Sequence, residues 1–206
     1  MYLMRYFVNE GTWSTLMFAN IQSAIGYSWA AVGLVWLAGL PFARRTVRSQ
    51  PNGARFFHLA VAMLGFFLLG SRYFDDGWLG ARFLAANQPI QAAGLVITIA
   101  GCLVAIWARV TLGRNWSGRA TVKAGHRLVV AGPYAFARHP IYSGLLMASV
   151  GTGLATGKVR CILGVVLIVL ALAIKMSQEE RLMLQTFPEA YPSYRRRVKA
   201  LIPGVF

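Results

Sequence analysis

Residues 159–180 read VRCILGVVLIVLALAIKMSQEE, an apolar run interrupted once by Arg160 that ends on Lys175 and two adjacent carboxylates, Glu179 and Glu180. A helix needs about 20 mostly apolar residues to cross about 30 Å of hydrocarbon, and residues 159–176 approach that length. Four further stretches approach it: 16–40, 56–74, 89–108 and 141–156. The fourth in chain order, 141–156, is short and carries Gly144, Gly151 and Gly153, a composition suited to close helix packing or an incomplete span. A tight hairpin through Gly157 and Lys158 is expected to join it to the last. The expected fold is all-α: a polytopic membrane bundle of about five transmembrane helices.

Composition points the same way, because 57% of the residues are apolar and only 13% charged, against about a quarter charged in soluble domains. Cys102 and Cys161 lie inside apolar runs with no ligand spacing around them, so neither a metal site nor a disulfide framework is suggested. The formal charge of +15 is gathered between the apolar runs. That placement favours contact with the bilayer's anionic headgroups, or with an anionic ligand, and argues against nucleic acid.

The same charges orient the chain, since Lys and Arg accumulate on the cytoplasmic side. Arg44, Arg45, Arg48 and Arg55 follow the first span; Arg109, Arg114, Arg119, Lys123, Arg127 and Arg138 follow the third; Arg181, Arg195, Arg196, Arg197 and Lys199 follow the fifth. Those three regions are expected to share the cytoplasm. Between spans two and three, Asp75 and Asp76 offset Arg72 and Arg82, which suits the opposite face. With no removable signal sequence read at the N-terminus, a multi-pass protein with its C-terminus inside is expected. The compact length and lack of eukaryotic targeting signals lean towards a prokaryotic plasma (inner) membrane.

No repeat or linker divides the chain, so residues 1–206 read as one membrane domain, with N-terminal membrane helices in 1–108 and the chemistry in 109–206. Polar residues concentrate in two places: 126–142, reading HRLVVAGPYAFARHPIY, and 175–180, reading KMSQEE. Both fall on the expected cytoplasmic side. A carboxylate at the membrane boundary is costly without a partner, so a polar pocket is expected there. Pro140 near the first turn of the fourth helix presents His139 at that helix's N-terminal end. A helix N-terminus and a basic segment attract a carboxylate, while an acid pair favours ammonium, hydroxyl or sulfonium groups. The combination fits S-adenosylmethionine and other small zwitterions alike. The end of the chain is polar and helix-like from about Ser177 to Phe187; beyond Pro188 and Pro192, two expected breaks, the basic stretch from Tyr194 to Lys199 is expected on the membrane surface.

At these residues the chain resembles the isoprenylcysteine carboxyl methyltransferase family, related to membrane phospholipid N-methyltransferases. The resemblance rests on His-x-Leu-Val-x-x-Gly-x-Tyr-x-x-x-Arg-His-Pro-x-Tyr-x-Gly, from His126 through Gly144. A second block follows: Glu179 and Glu180, then Phe187, Tyr191, Tyr194, Val198, Ile202 and Pro203. The resemblance covers roughly 109–206. It implies an S-adenosyl-L-methionine pocket without a Rossmann domain, built from the last helices and the cytoplasmic loop and partly closed by the C-terminal segment. By position, it implies that His126, Leu128, Val129, Tyr134, His139, Pro140, Tyr142 and Glu179 line the cofactor site. Lys175, four positions before Glu179, stands where eukaryotic members carry an acceptor-linked arginine.

Methyl transfer from a sulfonium requires alignment of donor and nucleophile and exclusion of water, without a metal. Glu180 is the candidate for orienting the acceptor or removing its proton. The expected acceptor is a lipidic or small membrane-soluble carboxylate or thiol. A phospholipid amine methyltransferase and a non-enzymatic ligand-binding membrane protein are the alternatives.

Overall fold

In a computed structural model of the chain, the described residues are 10–42, 46–49, 52–113, 121–123 and 128–204. Five apolar helices form the bundle: α1 (Glu10–Ala38), α2 (Asn52–Gly70), α4 (Gln88–Leu112), α5 (Pro140–Thr156) and α6 (Val159–Thr186). A single turn, α3 (Gly77–Gly80), lies between α2 and α4, and α7 (Ala190–Arg197) follows α6. Among the described residues, α1, α4 and α6 are long and apolar enough to cross a membrane by themselves. At 19 and 17 residues, α2 and α5 fall short of about 20. Large apolar side chains such as Leu34, Leu103, Val110 and Leu170 are more than half exposed around the bundle. Apart from Ile168, the wholly buried positions hold small or polar residues such as Thr98, Ala105, Ala148 and Ser149. That distribution suits a surface solvated by lipid.

Close backbone approach joins α4 to α5. A Cβ on Gly101 would stand 2.4 Å from the Ala148 nitrogen, and one on Gly144 would stand 2.5 Å from that of Ala105. Gly94 and Gly151 meet one turn-pair further along the same seam. The glycines of α5 thus act in packing, and Thr98 adds a hydroxyl contact of 3.3 Å to Thr152. Gly65 and Gly164 bring α2 against α6 in the same manner, each lying where the other's carbonyl would meet a Cβ at less than 3 Å.

The loops sort to two ends. The chain after α1 (β1, Thr46–Ser49) pairs antiparallel with the chain after α4 (β2, Thr121–Lys123), a ribbon that the all-helical expectation omitted. At this same end, Gly39 lies against the Arg109 guanidinium. At the other end the α5–α6 turn meets the α2–α4 loop: Phe83 N donates to Gly157 O at 3.0 Å, and Val159 N to Ala81 O at 3.0 Å. Gly157 caps α5 at φ 69°, a left-handed conformation that favours glycine, and Lys158 opens α6, so the expected hairpin is present. Here Asp75 accepts from Lys158 Nζ at 2.7 Å and from Arg160 Nε at 3.3 Å. Arg160 also donates to the carbonyls of Leu68 and Leu69 at the end of α2.

The helix-like stretch expected from about Ser177 to Phe187 is present and continuous with the fifth apolar run: α6 extends for about three turns past residue 176 to Thr186, carrying Glu179 and Glu180. One boundary differs from expectation. Pro192 does not break the chain; it lies in the first turn of α7, where a missing N–H leaves no helical bond unmade.

Candidate functional site

The ribbon end of the bundle assembles the second half of the sequence's polar residues. Gly132 takes φ 59° and Pro133 follows it, starting a 3-10 turn over Gly132–Ala135 that buries Tyr134. The Tyr134 hydroxyl donates to Ala108 O on α4 at 3.4 Å. Tyr194 of α7 in turn donates to Tyr134 O at 2.6 Å. Burial pushes the Tyr194 phenol up to about 12 and carries that of Tyr134 higher still, so both remain donors. Pro140 is the first residue of α5 and His139 its cap, so the histidine stands at that helix's N-terminus.

Glu179 and Glu180 diverge by about 100° around α6, and each finds a different set of partners. Glu179 accepts from the Tyr142 hydroxyl at 2.7 Å and from Lys175 Nζ at 3.0 Å. Lys175 also sits 5.5 Å from the centre of the Tyr142 ring. Glu180 accepts from Arg138 Nε at 2.8 Å and pairs with Arg195 Nε at 3.3 Å. His139 lies between the two acids, with Nε2 3.2 Å from Glu180 and Nδ1 3.7 Å from Glu179. Its ring stacks on Tyr142 at 5.4 Å with an interplanar angle of 4°.

The C-terminal segment is laid across this cluster. Arg138 donates through Nη1 to the carbonyls of Arg195 and Val198, while its backbone N–H bonds Lys199 O at 2.8 Å. His139 N–H continues the pairing to Ala200 O at 2.9 Å, and Ser143 Oγ donates to Leu201 O at 2.6 Å. Tyr191 and Tyr194 are both buried beneath it.

Of the residues singled out by sequence, His139, Tyr142, Lys175, Glu179 and Glu180 form one bonded cluster, with Pro140 setting the helix that carries two of them. Tyr134 and Val129 pack with Tyr142 in the adjoining core, and Leu128 is half-buried next to Val129. His126 lies outside the described residues. Sequence reasoning gave Arg138, Arg195 and Ser143 no role within the site. The signal for Arg138 was present: two buried carboxylates require more than one cation, and Arg138 directly precedes His139.

Residues 94–185 match the family described as isoprenylcysteine carboxyl methyltransferase. That match takes in less than half of the chain. It starts within α4 and takes in α5 and most of α6, the helices that carry the glycine seam and the acid pair. Over 119 residues the chain is 32% identical to protein-S-isoprenylcysteine O-methyltransferase B of Arabidopsis thaliana, covering 56% of this chain and 60% of that protein. It is 31% identical to protein-S-isoprenylcysteine O-methyltransferase of Rattus norvegicus, covering 56% of this chain and 42% of that one. The chain thus spans less than two thirds of these curated relatives. The lipid-suited helices, together with that match, make the protein an integral membrane protein.

Proposed function

We propose that this protein is an S-adenosylmethionine-dependent methyltransferase of the isoprenylcysteine carboxyl methyltransferase type, acting on a lipidic carboxylate or thiolate from the cytoplasmic face. The observation that supports it most is His139 held between Glu179 and Glu180 at an α5 N-terminus covered by the C-terminal segment. Around it stand three cations, Arg138, Lys175 and Arg195, against two carboxylates. A surplus of positive charge next to acidic and aromatic groups suits a zwitterionic cofactor and an anionic acceptor together.

In this reading His126, Leu128, Val129, Tyr134, His139, Pro140, Tyr142 and Glu179 hold the cofactor, and Lys175 and Glu180 face the acceptor. Bound there, S-adenosylmethionine supplies an electrophilic methyl group that an oxygen or sulfur nucleophile takes by in-line displacement. The protein's part is alignment and exclusion of water. Tyr142 fixes Glu179, and Arg138 fixes Glu180, so both carboxylates are oriented before any ligand arrives. Lys175 offers an ammonium to an acceptor carboxylate while it remains bonded to Glu179. One membrane domain, with the catalytic half in residues 109–206, accommodates this arrangement. The basic ribbon end faces the cytoplasm of a plasma membrane, by the bias of Lys and Arg.

Labelled methyl transfer to an S-prenylated cysteine with a free carboxyl group tests the proposal. A base-labile methyl ester is the expected product. Label found as a stable N-methylated lipid, or no transfer by folded protein, would contradict it.

A further inference from the structure

At the end of the bundle opposite the acid pair, α1, α2, α5 and α6 enclose a cavity of about 370 Å³, within the size range of about 300–1,000 Å³ common for small-molecule sites. Arg160 on its wall and Glu179 are 19 residues apart on α6, a rise of about 28 Å, so no acceptor reacting at the acid pair reaches this cavity with the same atoms.

The cavity exists because two side chains are missing. Gly26 and Gly70 both line it, and a Cβ added to either would meet nothing within 4 Å. The deeper wall is apolar, formed by Ile25, Trp29, Phe66 and Leu69. Trp29 is edge-on to Phe66 at 5.4 Å and spends its N–H on Thr152 Oγ1 at 3.0 Å, so this wall is rigid and its donor is satisfied.

The mouth is polar and positive. Arg160 is occupied by Asp75 and by the α2 carbonyls, and Lys158 by Asp75. Arg72, two residues past the end of α2, is exposed and lines the cavity with no side-chain partner among the described residues. Gln22 on the same wall holds its amide nitrogen buried without an acceptor. An unoccupied guanidinium at the mouth and an unspent amide donor on the wall, beside a slot lined by aromatic and aliphatic carbon, match one kind of molecule. It carries an anionic phosphate, ester oxygens and an acyl chain.

We infer that this cavity binds one anionic phospholipid in the leaflet opposite the acid pair. The phosphate meets Arg72, an ester oxygen accepts from Gln22, and an acyl chain fills the space left by Gly26 and Gly70 against Trp29 and Phe66.

Native mass spectrometry of the full chain in detergent tests this with dioleoyl phosphatidylglycerol and dioleoyl phosphatidylcholine as probes. The wild type is expected to retain one phosphatidylglycerol in preference to phosphatidylcholine. Gly26→Leu, whose side chain enters open space, is expected to lower that occupancy at least tenfold at unchanged melting temperature. Arg72→Gln, an exposed change, is expected to abolish the preference for phosphatidylglycerol while an acyl chain can still enter. Equal retention by wild type and Gly26→Leu would overturn the inference. So would an undiminished preference in Arg72→Gln, or displacement of the lipid by sn-glycerol 3-phosphate at equal concentration, which would show that the acyl chain contributes nothing.

Discussion

Arg138 and Glu180 meet through two guanidinium nitrogens on one carboxylate oxygen, each at 2.8 Å, with both side chains largely buried. The same guanidinium reaches the carbonyls of Arg195 and Val198. One residue therefore couples the acid on α6 to the segment that covers the site. Removing one partner of such a pair leaves the other charge buried and uncompensated, at a cost of about 3 kcal/mol or more. Arg138→Gln is expected to lower thermal stability by about that amount and to expose the chain beyond Thr186 to protease. Unchanged melting and proteolysis would remove Arg138 from this role.

Lys175 separates acceptor recognition from cofactor binding. If its ammonium receives the acceptor carboxylate, Lys175→Arg preserves methyl transfer and Lys175→Ala raises the acceptor KM about tenfold or more, the equivalent of about 1.4 kcal/mol. Steady-state kinetics with a prenylated carboxylate check this. An unchanged acceptor KM in Lys175→Ala contradicts it.

The α4–α5 seam admits no side chains. Gly101→Ala is expected to cost about 3 kcal/mol by overpacking against the Ala148 backbone. Gly33→Ala, where a Cβ meets nothing within 4 Å, is expected to remain within about 1 kcal/mol of wild type. Thermal unfolding in detergent distinguishes them, and equal effects would show that the seam is not the tight contact described.

Asp75 gives a pH signature at the opposite end. Burial raises its carboxyl, but Lys158 and Arg160 outweigh that and hold it below its ordinary value. A carboxyl depressed in the folded state stabilises the fold above its unfolded pKa of about 3.9 and loses that contribution as pH falls through the folded value. Asp75→Asn is therefore expected to melt lower than wild type at pH 7, with the gap shrinking below about pH 4. A gap independent of pH between 7 and 3 would contradict the ion-pair assignment.

Span lengths, the Gly157–Lys158 hairpin and the end-sorting of basic loops were legible because hydropathy and charge act through local sequence. Glu179 and Glu180 were legible as costly charges needing partners. The helical stretch to about Phe187 was legible too, but the partners of its polar face, Arg138 and Arg195 of α7, were not, because no periodicity encodes those contacts. The ribbon between Arg48 and Val122 was likewise hidden, since it pairs segments separated by α2, α3 and α4. Arg138 sat inside a recognised motif, yet its reach to the carbonyls of 195 and 198 depends on where the chain returns.

The most direct test of the proposed chemistry is isothermal titration of the detergent-purified protein with S-adenosylmethionine and S-adenosylhomocysteine, with His139→Ala as the paired variant. Saturable binding by wild type, weakened at least tenfold in His139→Ala at unchanged melting temperature, is the expected result. Absence of binding to folded wild type, or equal affinity in the variant, would contradict the placement of the cofactor beside His139, Glu179 and Tyr142.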